Sequence, residues 1–293
     1  MHEAAERADA PVLLVRSFAA RSAATFGLTV LGARVRANDA GLACPDWPLC
    51  FGEFIPRIDL RVGFEYAHRV LAGSVALCFT ALAIAIVRRP VLRARCALPL
   101  GLAAVLLAVQ ILLGALTVWQ LLAAWTVTSH LLTGNAFAAT LLWTLLSLGG
   151  DAGRPRVRGA VRGALAAAAV LLFLQMLLGG LVASRYAGLA CTEWPACNDG
   201  AWFPSFAGSV GLHLFHRWNG LVLLGALAVF WRAARSHPGL SRVAGIALAV
   251  GLAQFAVGVA NVLTRIPAEI TGLHSALATA LVLLLTAAAH RCR

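Results

Sequence analysis

Long apolar stretches separated by short polar ones organise this chain. A membrane-spanning helix needs about 20 mostly apolar residues, and such stretches recur at 12–35, 64–87, 97–119, 124–148, 161–184, 210–231, 242–263 and 268–289. The pattern predicts eight spans. On one side they are joined by two long connections, 36–63 and 185–209, and two short ones, 120–123 and 264–267. The other side carries arginine clusters: Arg88, Arg89, Arg93 and Arg95; Arg154, Arg156, Arg158 and Arg162; Arg232, Arg235 and Arg242; Arg291 and Arg293. Positive residues flank spans on the cytoplasmic side, so the clusters are expected there, together with both termini.

The apolar pattern repeats. GLACPDWPLC, ending at Cys50, returns as GLACTEWPAC, ending at Cys197, so that Cys44 corresponds to Cys191, 147 positions on. EYAHR around His68 matches LFHR around His216, and QILLGALTV from Gln110 matches QFAVGVANV from Gln254. SHLLTGNA around His130 likewise matches LHSALATA around His274. The expected fold is therefore an all-α integral membrane protein: eight transmembrane helices in two tandem, pseudo-symmetric four-helix bundles, 12–148 and 161–289. An even number of helices separates the copies, so both have the same topology about an axis along the membrane normal. Equivalent residues then share one depth.

Composition supports this class. Of 293 residues, 60% are hydrophobic and 12% charged, with mean hydropathy +0.83; a soluble domain carries about 25% charged residues. The net charge of +12 comes entirely from arginine, since the chain has no lysine. No basic stripe or nucleic-acid motif accompanies it, so the excess reads as topology and nucleic acid is excluded as a partner. The first eleven residues hold three acids and no apolar run, unlike a signal or transit peptide. That favours a bacterial plasma membrane.

Four of the eight histidines fall at corresponding places: His68 and His130, His216 and His274. Each follows the start of its span by about four to seven residues, hence lies roughly 6 to 10 Å below the boundary. Ionisable groups inside spans are costly and mark function. Paired imidazoles from facing helices are standard axial ligands of heme iron, whereas zinc wants three or four ligands, commonly with thiolate or carboxylate. His2, His237 and His290 sit at tails or helix ends, with no specific role expected.

The halves differ three residues before the motif histidine, where Glu65 stands opposite His213. Residues i and i+3 share a helix face, so Glu65 is expected beside His68, as a proton acceptor or as an acid favoured by the helix dipole. His213 is an alternative ligand to His216. Arg69 and Arg217 follow the motif histidines, either as partners of heme propionates or as side chains reaching the interface. Cys44 with Cys50, and Cys191 with Cys197, bracket Trp-Pro turns in the long loops, where disulfides are expected. An exposed small ring of this kind would be either a loop staple or a labile redox pair. Cys78, Cys96 and Cys292 read as unpaired small hydrophobes. Trp47, Trp194 and Trp202 suit an interfacial belt. Gln110, Gln175, Gln254, Asn135 and Asn261 read as interhelical hydrogen-bonding groups.

Together the CPDWPLC loop, EYAHR, their copies CTEWPAC and LFHR, and the late His130 and His274 resemble the heme A synthase family over nearly the whole chain. The resemblance implies an oxidoreductase that converts the C8 methyl of farnesylated heme O to a formyl group, with water as oxygen source. It further implies heme O on His68 and His130, heme B on His216 and His274, and Glu65 as the catalytic carboxylate. Cys44 and Cys50 are implicated in members that keep them. Implied partners are heme O, membrane lipid, a heme O synthase and cytochrome oxidase assembly factors. A di-heme b-type electron-transfer protein is the alternative; it would place its hemes at opposite membrane faces.

Overall fold

The structure, a computed structural model, describes residues 10–149 and 157–292. The acidic N-terminal residues, His2, Arg154, Arg156 and Arg293 lie outside the described residues. Eight long helices make up the described chain: α1 Val12–Ala37, α2 Leu60–Val87, α3 Pro90–Trp119, α4 Ala124–Leu148, α5 Gly159–Ser184, α6 Gly208–Ala234, α7 Pro238–Leu263 and α8 Ala268–Arg291. A single 3-10 turn, Ala187–Leu189, sits in the second long loop. Several helices start earlier than apolarity alone indicates, for local reasons. Asp59 caps α2 by accepting from the Val62 N–H at 2.9 Å, the ordinary role of an N-cap aspartate. Pro90 and Pro238 occupy the first turns of α3 and α7, where proline's missing N–H costs nothing. Arg93 and Arg95 therefore lie on α3 rather than in a loop.

α2 to α8 are each long and apolar enough to cross a membrane. α1 has the length, but Arg16, Arg21, Arg34 and Arg36 dilute its hydropathy. Contacts tie it in place all the same. Leu14 and Phe18 are buried in the core, Arg21 Nη1 donates to Cys78 Sγ at 3.4 Å, and Arg36 Nη2 donates to the Ala183 carbonyl at 2.6 Å.

Two apolar cores form. One joins α1 to α4 through Phe18, Phe79, Leu100 and Leu141; the other joins α5 to α8 through Leu165, Leu227, Phe230 and Leu281. Both occupy the arginine-rich end, leaving the long-loop end for polar groups. The halves meet where α1 packs on α8 and α4 packs on α5 and α8, with Thr128 and Ser184 hydroxyls 3.2 Å apart across the seam.

The repeat extends to the backbone. Left-handed residues recur at Asp39 and Tyr186, at Phe51 and Asp199, and at Leu121–Leu122 and Arg265–Ile266. The last pairs turn the two short connections tightly enough that Leu122 presses on Gly41 and Ile266 on Gly188, where a Cβ would meet their side chains at 3.3 and 2.7 Å. The short turns thereby hold the long loops down over the bundle ends.

Candidate functional site

At the long-loop end each half brings its two histidines together. The rings of His216 and His274 have centroids 6.5 Å apart at 68°, and His68 lies within electrostatic range of His130. His68 and His216 sit eight residues into α2 and α6, His130 and His274 six into α4 and α8, which gives depths of about 12 and 9 Å.

A glycine on the neighbouring helix backs each ring. A Cβ at Gly32, Gly114, Gly179 or Gly258 would lie 3.0, 3.3, 3.0 or 2.9 Å from Cε1 of His68, His130, His216 or His274 respectively. Only a side chain without Cβ lets α1, α3, α5 and α7 approach so closely. Gly258→Ala is expected to displace the His274 ring and cost about 1–3 kcal/mol by overpacking. The unfolding temperature of the detergent-solubilised protein reads this; Gly27→Ala, with open space around its Cβ position, is the control. An equal, negligible change in both would show that the ring has room.

The glutamines read from sequence as helix glue face the histidines. Gln110 Nε2 lies 3.3 Å from His130 Nε2, and Gln175 Nε2 lies 3.2 Å from His216 Nδ1 while donating to its carbonyl at 3.1 Å. Asn219 holds Gln175 in turn, donating to Oε1 at 2.7 Å. The first half has Leu28 and Leu71 at the places of Gln175 and Asn219, so His216 is the more firmly oriented of the two motif histidines. Asn261 accepts from Thr271 at 3.1 Å, and Asn135 donates to the Leu131 carbonyl at 3.0 Å.

The geometry fits an iron porphyrin. Two metal–nitrogen bonds of about 2.0 Å on opposite sides of one ion, plus about 1.2 Å from nitrogen to ring centre, place centroids about 6.4 Å apart, close to the His216–His274 spacing. Nδ1 of His68, His130 and His274 is buried without a hydrogen-bond partner, a costly state for a polar atom that nothing else binds. Among the described residues no three His, Cys, Asp or Glu side chains converge. A porphyrin, which brings four nitrogens of its own, needs only two.

Each long loop forms a roof over its pair. Both expected disulfides are present, Cys44–Cys50 and Cys191–Cys197. Both were expected in exposed rings; instead Cys44 and Cys50 are 0 and 2% exposed, packed on Val62, and Cys191 and Cys197 are buried against Leu214, which obstructs attack by an outside thiolate. The acid of each motif ties the turn: Asp46 accepts from Phe51 and Gly52 N–H at 2.7 and 2.8 Å, and Glu193 from Asp199 and Gly200 at 3.2 and 3.1 Å. The Gly52 N–H foremost, with Phe51, holds the Asp46 carboxyl below its ordinary pKa. Trp47 sets its edge against Trp119, and Trp194 against Phe255; Trp202 is exposed.

Arg69 and Arg217 clamp these roofs. Arg69 donates to the carbonyls of Asp46 and Leu49 at 2.7 Å each and of Cys44 at 3.3 Å. Arg217 donates to Cys191 and Ala196 carbonyls at 2.8 and 3.1 Å. The diverged position completes each clamp. Glu65, 5% exposed, accepts from Cys44 N–H at 2.8 Å and from Arg69 at 2.5 Å. His213, in its place, meets Cys191 N–H and Arg217 Nε, both at 3.3 Å. One His213 nitrogen thus turns to the loop and the other to Arg217 on its own helix, and it is His216 whose ring stands against that of His274. Elsewhere, His290 lies 3.3 Å from the Ser147 hydroxyl with its ring against Trp143, and His237 beside Ser236.

Comparison with known proteins identifies the family. Residues 17–62 and 60–286 match the COX15-CtaA family, described as cytochrome oxidase assembly protein. The chain belongs to the COX15-CtaA family. Curated relatives of this COX15-CtaA protein named heme A synthase include one from Alkalihalophilus pseudofirmus, 32% identical over 80% of this chain and 82% of its own. Another, from Halalkalibacterium halodurans, is 30% identical over 80 and 81%. A third, from Caulobacter vibrioides, is 28% identical over 93 and 94%.

Proposed function

We propose that this chain is a heme A synthase of a bacterial plasma membrane, oxidising the C8 methyl of heme O to the formyl of heme A. The observation that carries this reading is the pair of half-buried histidine couples at one end of the bundle, only one of them accompanied, among the described residues, by a buried carboxylate. The half with Glu65, residues 12–148, takes the substrate on His68 and His130. The other half, residues 161–289, takes heme B on His216 and His274, whose ring Gln175 and Asn219 orient in advance. Bound there, heme B supplies a one-electron redox couple.

Conversion of methyl to formyl consumes one water and releases four protons and four electrons, the electrons leaving one at a time for an acceptor outside the chain. Glu65 is the proton acceptor, its carboxylate aimed by the Cys44 N–H and Arg69. Arg69 and Arg217 serve the propionate edge by fixing the loops above it, and the Cys44–Cys50 and Cys191–Cys197 disulfides hold those loops closed. The arginine-rich end faces the cytoplasm with both termini. A heme O synthase supplies the substrate, and cytochrome oxidase assembly takes the product. An electron carrier across the membrane would need its sites at opposite faces; both couples lie at one.

Expression with and without a heme O source, followed by pigment extraction and mass analysis, tests the reading. Heme A should appear only when both are present. Heme O recovered unchanged beside well-folded, heme-loaded protein would overturn it.

A further inference from the structure

The two halves differ at a second place, away from the histidines. Between α2 and α3 lies an apolar groove of about 390 Å³, lined by Phe79, Ala83, Val87 and Ala104 among others, with Arg88 at its end. The corresponding place between α6 and α7 is filled. There Trp231 stands for Ala83 and Leu248 for Ala104, both packed on the second core. Trp231 reaches Gly245, where a Cβ would meet its Nε1 at 3.2 Å, and Arg235 lies over its ring at 4.5 Å. Gly101, the counterpart of Gly245, has open space around its Cβ position, and Val87 stands where Arg235 does. The same fold thus carries an open apolar groove in the half with Glu65 and a plugged one in the other.

We infer that this groove holds the isoprenoid chain of heme O, and that Ala83 and Ala104 make the first half selective for a heme bearing that chain. The inference rests on the assignment of the first half to the substrate. Reach supports it. From His68 to Phe79 and Ala83 is 11 and 15 residues along α2, about 16 to 22 Å. A chain of a dozen carbons, advancing about 1.2 Å per bond, spans about 15 Å, and the half-width of the macrocycle adds about 5 Å. The chain therefore ends in the apolar part of the groove, short of Arg88. Trp231 and Leu248 deny the same path to a chain entering the second half, which suits that half to heme B, a heme without one.

The test titrates purified protein, already carrying its resident heme in the second half, with heme O and separately with heme B, following the absorption change at the vacant first-half site. In Ala83→Trp/Ala104→Leu, affinity for heme O should fall at least tenfold while affinity for heme B at that site is unchanged. The smaller Ala83→Leu should give an intermediate loss and guards against misfolding. Unchanged heme O affinity would overturn the inference, including the case where the variant sheds co-purifying lipid and the groove proves to be an acyl-chain site. Equal losses of heme O and heme B would also overturn it, because the filled groove would then disturb the histidines and not the tail. His68→Ala separates the two levels: heme O binding indifferent to His68 refutes the substrate half itself. Binding that needs His68 yet ignores the groove refutes only the inference.

Discussion

His216→Ala, purified from cells, is expected to lose its resident heme absorption almost completely, and His274→Ala to do the same. The two rings stand 6.5 Å apart on different helices, so on the proposed reading each would supply one of two protein bonds to the iron. Loss of a group that merely orients a metal ligand costs about 10–100-fold in affinity, and loss of the ligand itself costs more. Gln175 and Asn219 remain behind with no imidazole to orient. His213→Ala is the informative contrast. Its ring nitrogens face Cys191 and Arg217, so that variant should loosen the second loop yet keep the spectrum. His68→Ala should keep it too, since it touches only the first couple. Absorption spectra of the four variants at matched protein concentration decide. A normal spectrum in both His216→Ala and His274→Ala would remove heme ligation from this pair.

Much of this architecture is legible in the sequence because a bilayer leaves few options: spans must be long, apolar and helical. The tandem repeat then gives the pairing of His68 with His130 and of His216 with His274 without any structure. Other features are not legible for definite reasons. Gly32, Gly114, Gly179 and Gly258 resemble the many small residues of membrane helices until the helix crossings are known. Gln110 and Gln175 read as generic glue because sequence spacing does not say which neighbouring helix a side chain meets. The acids of CPDWP and CTEWP look like surface residues, yet each caps a turn through two backbone N–H groups, a contact invisible to periodicity. The i+3 spacing of Glu65 and His68 pointed to a shared face, whereas the bonds Glu65 makes run to its i+4 neighbour Arg69 and up to Cys44.

That last feature governs the second large effect. Glu65→Gln should retain both heme sites and reduce heme A formation by about 10²–10⁴-fold, the range for removing a positioned proton acceptor. The complication is that Glu65 also holds the loop. An amide can accept from Cys44 N–H or from Arg69 but must turn its NH₂ toward the other donor, leaving a mismatch worth about 1–3 kcal/mol. Loop loosening alone would then imitate a lost base. The second half supplies the control, since there an imidazole occupies the same place between a cysteine N–H and an arginine. A neutral imidazole accepts from one donor only, so Glu65→His carries the same mismatch as Glu65→Gln and loosens the loop to a like degree, yet it keeps a proton acceptor. If the carboxylate takes protons, activity in Glu65→His should exceed that of Glu65→Gln and should follow a pH profile different from the wild type. If Glu65 only fastens the loop, the two variants should lose activity alike and keep the wild-type profile, and the proton acceptor must be sought elsewhere in the first half.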